Sequence, residues 1–496
     1  MKRYLYLWHR WLGILLCLFM ALWFVSGVVM LFVGYPKLTP AEHLQRLPPL
    51  AREDCCLPLE AVLQAGNREQ APQRLRLTSI GGAPHYLLNY PDGRQLSLDA
   101  RSGEVVREVS AEQALASARQ FAGTAAVEYL GVLGEDTWTH SKGLDVHRPL
   151  HLLAIDDTEQ RRVYVSGSSA AVVLDATANE RNWNWLGAWL HWLYPLRGGA
   201  LDGWWADIVI YLSLAATLMA LLGICIGVLR WRFGGRYRNG SHSPYAGLAR
   251  WHHLGGMLFG LLLILWIFSG LMSMRPWGVL ASQSQLALQD YRGGALQAAH
   301  FPLTAAQALQ RFAEAGLEAR ELEWHLLAGE GFVVAQGMPG QSRILSMQAQ
   351  APVLERLPAE QLERAARRLA PQLEARFEWL QAYDFHYYQR AEQSMNGYQY
   401  KRLPALRVRF ADKAGSWVHI DPYSGALIES LDGNRRSARV LFNLLHSWDW
   451  QPLLARPLLR EGLIIAFSLG GLLISLTGVV LGWRRLRRSA GRPARA

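Results

Sequence analysis

Residues 8–30 read WHRWLGILLCLFMALWFVSGVVM, and residues 251–273 read WHHLGGMLFGLLLILWIFSGLMS. The two stretches align without a gap. His9 falls on His252, Gly13 on Gly256, Trp23 on Trp266, and Ser26-Gly27 on Ser269-Gly270. Apolar runs of this length are membrane spans. Contact with lipid asks only for apolar side chains; it does not ask for a histidine, a glycine and a Ser-Gly pair in register. An ionisable residue at the edge of a span is a functional candidate, and two related by a repeat point to one symmetric site.

Working outward, two further apolar runs complete a set of four. SLAATLMALLGICIGV starts at Ser213 and SLGGLLISLTGVVLGW at Ser468, so that Ser213, Gly223 and Gly227 fall on Ser468, Gly478 and Gly482. Each half of the chain is therefore a span, a large connecting region and a second span. The halves run in the same direction, which predicts a parallel two-fold repeat with its axis near the membrane normal. The expected division is a first transmembrane helix over 1–35, a large region over 36–206, a second helix over 207–231 and a basic loop over 232–250. A third helix over 251–274, a second large region over 275–461, a fourth helix over 462–483 and a basic tail over 484–496 follow. The long first run lacks an A-x-A-type site, which reads as a retained span and not a cleaved signal peptide.

Charge orients this arrangement. The chain carries a formal net charge of +11. The first ten residues, the loop from Arg230 to Arg250 and the tail from Arg484 together hold fourteen Lys and Arg and no Asp or Glu. The positive-inside rule then places both termini and the short loop in the cytoplasm and the two large regions in the periplasm, as expected of a multi-pass protein of the bacterial inner membrane. Basic residues that hug membrane edges argue against a nucleic-acid partner. The four cysteines give no C-x-x-C-H, so covalent haem attachment is not indicated. Cys17 and Cys225 read as packing residues within spans, and the adjacent Cys55-Cys56 could form only a strained bridge.

The large regions read as α+β units. A short helix over 57–66 precedes strand-like runs at 73–80, 84–90 and 94–100, with a turn at Pro91-Asp92-Gly93 and a second helix over 110–123. In the other half a helix over 304–316 precedes strands within 321–337 and at 342–347, and 416–429 repeats the strand-turn-strand pattern. A helix followed by an antiparallel meander is a small α+β unit. Each region ends in an aromatic helix, WNWLGAWLHWLYPLRGG (183–199) and VLFNLLHSWDWQPL (440–453), as at a membrane interface. His191 and His446 hold matching places in them.

The WH…SG spans, the LH-bearing interface helices and the LDARSGEVV turn at 98–106 together resemble the PepSY-associated transmembrane family, which includes inner-membrane ferric-siderophore reductases. That resemblance implies a di-haem b protein passing electrons from the cytoplasmic side to ferric siderophore in the periplasm, with release of Fe(II). It also implies two PepSY-like periplasmic regions. No G-x-G-x-x-G stands on the inner side, so the electron donor would be a separate cytoplasmic reductase or a membrane quinol.

Haem b takes axial ligands from helices, commonly histidine, beside small residues that let the macrocycle approach the backbone. His9 with Gly13 and His252 with Gly256 stand four apart, each pair on one helix face. They make the candidate inner site; His253 is a rival ligand pointing about 100° away. His191 and His446 make the candidate outer site. Gly187 precedes His191 by four residues, whereas Phe442 stands at the corresponding place before His446. The plain alternative is polar residues at headgroup level and in an aromatic belt. A third cluster, LDVHRPLH with His147 and Arg148 and YDFHYYQR with His386 and Arg390, reads either as a pocket for an iron chelate or as a hydrogen-bond network joining domains. With no G-x-S-x-G or H-E-x-x-H, nothing suggests a hydrolase. The competing class is a non-catalytic membrane-anchored module that binds or regulates a periplasmic partner.

Overall fold

The computed structural model describes residues 2–490 apart from 53–54, 67–69, 349, 396 and 398; Arg492 and Arg495 of the basic tail lie outside the described residues. Four long apolar helices, Lys2–Phe32, Trp205–Arg230, Gly247–Ser273 and Pro457–Ala490, form the first to fourth spans. No proline interrupts them. Pro457 stands at the first residue of its helix, where a missing N–H costs nothing. With more than the ~20 residues needed to cross a bilayer, they make the chain a multi-pass membrane protein.

The first span packs against the second and fourth, and the third packs against the same two. Leu16, Met20, Phe24, Met219, Leu263 and Trp266 fill the middle of this bundle. Leu15, Leu18, Leu258, Leu261 and Leu469 are exposed on its outside, as lipid contact requires. One end of the bundle carries both termini and the short 231–246 link. The other carries both large regions. They are called here the terminal end and the domain end.

The first region opens with an antiparallel meander of β1 (Arg74–Ile80), β2 (Ala83–Asn89), β3 (Gln95–Asp99) and β4 (Val105–Val106). A helix at Ala111–Ala122, started by the Ser110/Gln113 capping box, leads to a second meander. Its strands are β5 (Ala126–Leu133), β6 (Leu150–Asp156), β7 (Arg162–Ser166) and β8 (Val172–Ala176). The second region repeats this order. A helix at Ala305–Glu314 precedes β9 (Glu321–Leu327), β10 (Glu330–Gln336), β11 (Ser342–Ser346) and β12 (Val353–Leu354). A helix at Ala359–Arg367 then leads to β13 (Ala375–Leu380), β14 (Ala405–Phe410), β15 (Trp417–Ile420) and β16 (Leu427–Leu431). The expected strands and the turn at Gly93, whose φ is +88°, are present. The meander from β5 to β8 carried no sequence expectation.

The two regions are not separate sheets. β1 pairs antiparallel with β9, Leu75 opposite Trp324 and Leu77 opposite Leu322, giving one eight-stranded sheet in the order β12-β11-β10-β9-β1-β2-β3-β4. Arg74 binds Glu323 through two nitrogens at 2.5 and 2.9 Å, and Glu321 accepts from His43 at 3.0 Å and Arg76 at 3.4 Å across the same seam. Tyr86, Phe312 and Trp324 bury themselves beneath it.

The aromatic segments before the second and fourth spans are shorter helices than the sequence suggests. Leu193 and Trp448, each two residues past a histidine, take positive φ of +53° and +54° and break the helical path. Over Val440–Leu444 the helix widens by one residue per turn, an irregularity common at functional sites. Cys55 and Cys56 share a disulfide.

Candidate functional site

The bundle brings four of the candidate histidines together as two facing pairs. At the terminal end His9 of the first span meets His252 of the third, ring centroids 6.3 Å apart and planes inclined at 43°. At the domain end His191 meets His446, centroids 6.1 Å apart and planes at 70°. A metal–imidazole bond is about 2 Å long, so imidazoles on opposite sides of one metal ion have centroids roughly 6 Å apart. Both pairs have that separation.

Each ring is fixed through Nδ1. His9 Nδ1 lies 3.0 Å from the Met219 carbonyl, which can only accept, so Nδ1 carries the proton. His252 Nδ1 lies 2.9 Å from Thr477 Oγ1, His191 Nδ1 3.0 Å from Ser26 Oγ, and His446 Nδ1 3.2 Å from Ser269 Oγ. Those three hydroxyls already donate to helix carbonyls: Thr477 to Ile474 at 2.8 Å, Ser26 to Trp23 at 3.1 Å and Ser269 to Trp266 at 2.8 Å. A hydroxyl has one proton to give, so each must accept from the histidine. His446 Nδ1 also reaches the Trp266 carbonyl at 3.1 Å. All four imidazoles are therefore held as the Nδ1–H tautomer with Nε2 a bare lone pair, the arrangement found in metal-ligating histidines.

Glycines stand against all four rings, and at one of them, His9, only a glycine fits. A Cβ on Gly27 would lie 3.5 Å from His191 Cε1, and one on Gly270 at the same 3.5 Å from His446 Cε1. At the terminal end a Cβ on Gly223 would come within 2.8 Å of His9 Cε1, and one on Gly478 within 3.6 Å of His252 Cε1. Gly13 and Gly256 do something different. Beside Gly256 there is open space, and both glycines line a cavity of about 400 Å³ that His9 and His252 face. Gly187 lets its segment pack on the first span, since a Cβ there would lie 3.1 Å from Val29 Cγ1. Phe442, in the corresponding place, stacks on His446 with centroids 5.2 Å apart.

His253 is engaged at both nitrogens, Nδ1 with Ser243 Oγ at 2.7 Å and Nε2 with the Gly227 carbonyl at 2.9 Å. It ties the third span to the second and has no lone pair left to offer. The residues present fit haem on three counts: the centroid separations, four bare Nε2 atoms, and a cavity whose wall a Cβ at Gly13 or Gly256 would narrow. Among the described residues no cluster of three or more His, Cys, Asp or Glu forms a protein-only metal site. Two imidazoles alone do not complete a metal's ligand set, so a bound group such as a porphyrin would have to supply the rest.

The side chains of the third cluster are engaged within their own regions. His147 Nδ1 meets Ser166 Oγ at 3.0 Å inside the first region, and burial, with help from Arg76, pushes its pKa down to about 4. Arg148 pairs with Asp145 at 3.1 Å and donates to the Thr139 carbonyl at 2.6 Å. His151 Nδ1 meets Tyr129 Oη at 2.9 Å. In the second region Asp384 pairs with buried Arg407 at 2.7 Å and accepts from the backbone of His386 and Tyr387. Burial, then Arg439, pushes the His386 pKa down to about 4. Arg390 pairs with Asp449, whose carboxylate also faces Arg460 at 3.7 Å and Tyr388 Oη at 3.1 Å. Both arginines are spent on internal ion pairs, and the Arg390 network lies three residues past His446.

Sequence reasoning missed Ser26, Ser269 and Thr477 as the residues that hold the rings and Gly223 as the close approach to His9. The signal was present, since each of these except Thr477 recurs in the internal alignment. A family model described as PepSY-associated TM region matches residues 6–328. Comparison with curated proteins gives no match.

Proposed function

The chain belongs to the PepSY-associated TM region family, and on that premise we propose that it is a haem b protein of the bacterial inner membrane. In this reading it passes electrons across the membrane to ferric siderophore in the periplasm and releases weakly bound Fe(II). The observation that carries the haem assignment is the set of four imidazoles held as Nδ1–H tautomers in two facing pairs. Bound haem would supply reversible one-electron transfer at its iron. His9 and His252 would hold one group and His191 and His446 the other, in a parallel two-fold arrangement of the halves.

The residues of the chain do the rest. Ser26, Ser269, Thr477 and the Met219 carbonyl hold the rings in orientation and raise ligand basicity. The apolar layer of Met20, Phe24, Leu263 and Trp266 between the pairs excludes water from the middle of the bundle. The fourteen-to-none basic bias supports a cytoplasmic location for the terminal end, and so an inner donor and an outer acceptor. The ferric-siderophore acceptor rests on the resemblance of the WH…SG spans and the LDARSGEVV turn to a family that includes ferric-siderophore reductases.

The test is a reduced-minus-oxidised spectrum of the purified chain with haem quantitation, followed by Fe(II) trapping from ferric siderophores with a competent donor. Two non-covalent haems per chain and Fe(II) release are expected. Protein that carries no haem overturns the reading; haem without Fe(II) from any ferric siderophore overturns the acceptor.

A further inference from the structure

The cavity at the terminal end is graded along its depth. Its inner wall is apolar, with Met20, Leu263 and Ile474. Its mouth carries Tyr6, Tyr245, Arg10 and Arg485. Tyr6 is already engaged, since Arg230 Nε donates to its hydroxyl at 2.6 Å. Arg10 and Arg485 are exposed, and among the described residues neither meets a carboxylate within ion-pair distance. Arg10 follows His9 directly. Arg485 lies seven residues beyond Gly478, which faces His252, so it stands about 10 Å nearer the terminal end of the bundle.

An apolar chamber with two imidazoles across it and two unpaired guanidinium groups at one rim matches a flat ligand with an apolar body and two carboxylates on one edge. Resting on the haem reading above, we propose that Arg10 and Arg485 are the carboxylate partners of the terminal-side macrocycle, whose acidic edge points out of the bundle at the terminal end. Guanidinium is the side chain suited to this task. It stays charged, presents a planar fork to a carboxylate, and gives charge-assisted bonds stronger than neutral ones. The orientation also spares the bundle interior two buried anions. Arg3 and Arg488, at the same membrane edge but absent from the cavity wall, have no such role.

The experiment reconstitutes full-length, haem-depleted protein in nanodiscs with haemin or with haemin dimethyl ester, which has the same metal and ring but no charge at the edge. The first arm measures uptake of each form by the wild type, and the expected result is a preference for haemin of about tenfold. The second arm repeats this for Arg10→Gln/Arg485→Gln, where the preference should vanish, for Arg10→Lys/Arg485→Lys, where part should return, and for Arg3→Gln/Arg488→Gln, where it should persist. In the glutamine pair, redox titration should show one of the two haems, and only one, moved to lower potential. Equal uptake of both forms by the wild type overturns this proposal alone, including the case where the arginines hold only lipid phosphates. So does a glutamine pair that keeps the full preference. Uptake of neither form overturns the haem reading and this proposal with it. Should the glutamine pair fail to fold, the wild-type comparison still decides, because there the charge is removed from the ligand.

Discussion

Replacing Gly223 by alanine tests whether close approach of the second span to His9 is what shapes the terminal-side site. The new Cβ would sit 2.8 Å from His9 Cε1 and 3.3 Å from Nδ1. The ring cannot simply slide away, because its Nδ1 is bonded to the Met219 carbonyl one turn earlier on the same helix. Overpacking of this kind costs about 1–3 kcal/mol. A ring that swings clear also gives up a hydrogen bond of about 1 kcal/mol. Alanine returns up to about 1 kcal/mol of helix propensity. The balance is about 2 kcal/mol against the ring position that offers Nε2 to its partner, or roughly a thirtyfold loss of haem affinity at that site. Gly27→Ala is the control, because its Cβ would make only ordinary contact at 3.5 Å from His191, and affinity should stay within about twofold. The assay is haem titration by absorbance in nanodiscs, with thermal melts to confirm folding. Gly223→Ala with wild-type affinity, or Gly27→Ala with an equal loss, would refute the packing argument.

Removing the hydroxyls of Ser26 and Ser269 by alanine should weaken haem binding at the domain end by about 10–100-fold, as loss of an outer-shell partner does, while the terminal-side haem stays; haem stoichiometry after dilution checks this. His147, held near pKa 4 in the fold against its usual 6.5, binds its proton more readily when unfolded. It therefore contributes stability that is present above pH 6.5 and lost as pH falls through about 4; His147→Gln should flatten that acid limb in chemical denaturation. Arg390→Met leaves buried Asp449 with the Tyr388 hydroxyl and, as its remaining cation, the more distant Arg460, and should cost about 3–5 kcal/mol. Arg390→Met/Asp449→Leu should recover most of it in thermal melts, and no recovery would show that the pair matters through something other than charge compensation.

The spans, their histidines and their glycines were legible because membrane helices write their length and repeat directly into local composition. The first strands of each region were legible through alternation and turn residues. What was not legible depends on contacts between residues far apart in the chain. The internal alignment shows that Ser26 and Ser269 are equivalent, but not that each reaches a histidine more than 160 residues away. It places Gly13 and Gly256 one turn from His9 and His252, yet the glycines against the rings lie on the neighbouring spans and on the Ser-Gly pairs. Arg390 looks like a free cation in sequence because Asp449, 59 residues on, is supplied by the fold, whereas the Asp145 partner of Arg148 stands three residues away in the same motif. The choice between His252 and His253 needed the Ser243 and Gly227 partners.

The seam between β1 and β9 has a consequence for biosynthesis. Its two strands lie on opposite sides of two membrane crossings, and a main-chain hydrogen bond cannot reach through a bilayer. The sheet can close only if an even number of crossings separates its halves, so the closed sheet puts both regions on one face of the membrane, whichever face that is. Until the ribosome has delivered Glu321–Leu327, β1 stands as an open edge bearing Leu75 and Leu77, a template for unwanted pairing. The nascent chain must keep that edge covered while two more helices are inserted, and pairing so distant in sequence is intrinsically slow. A chain truncated before residue 321 would thus present the same surface permanently.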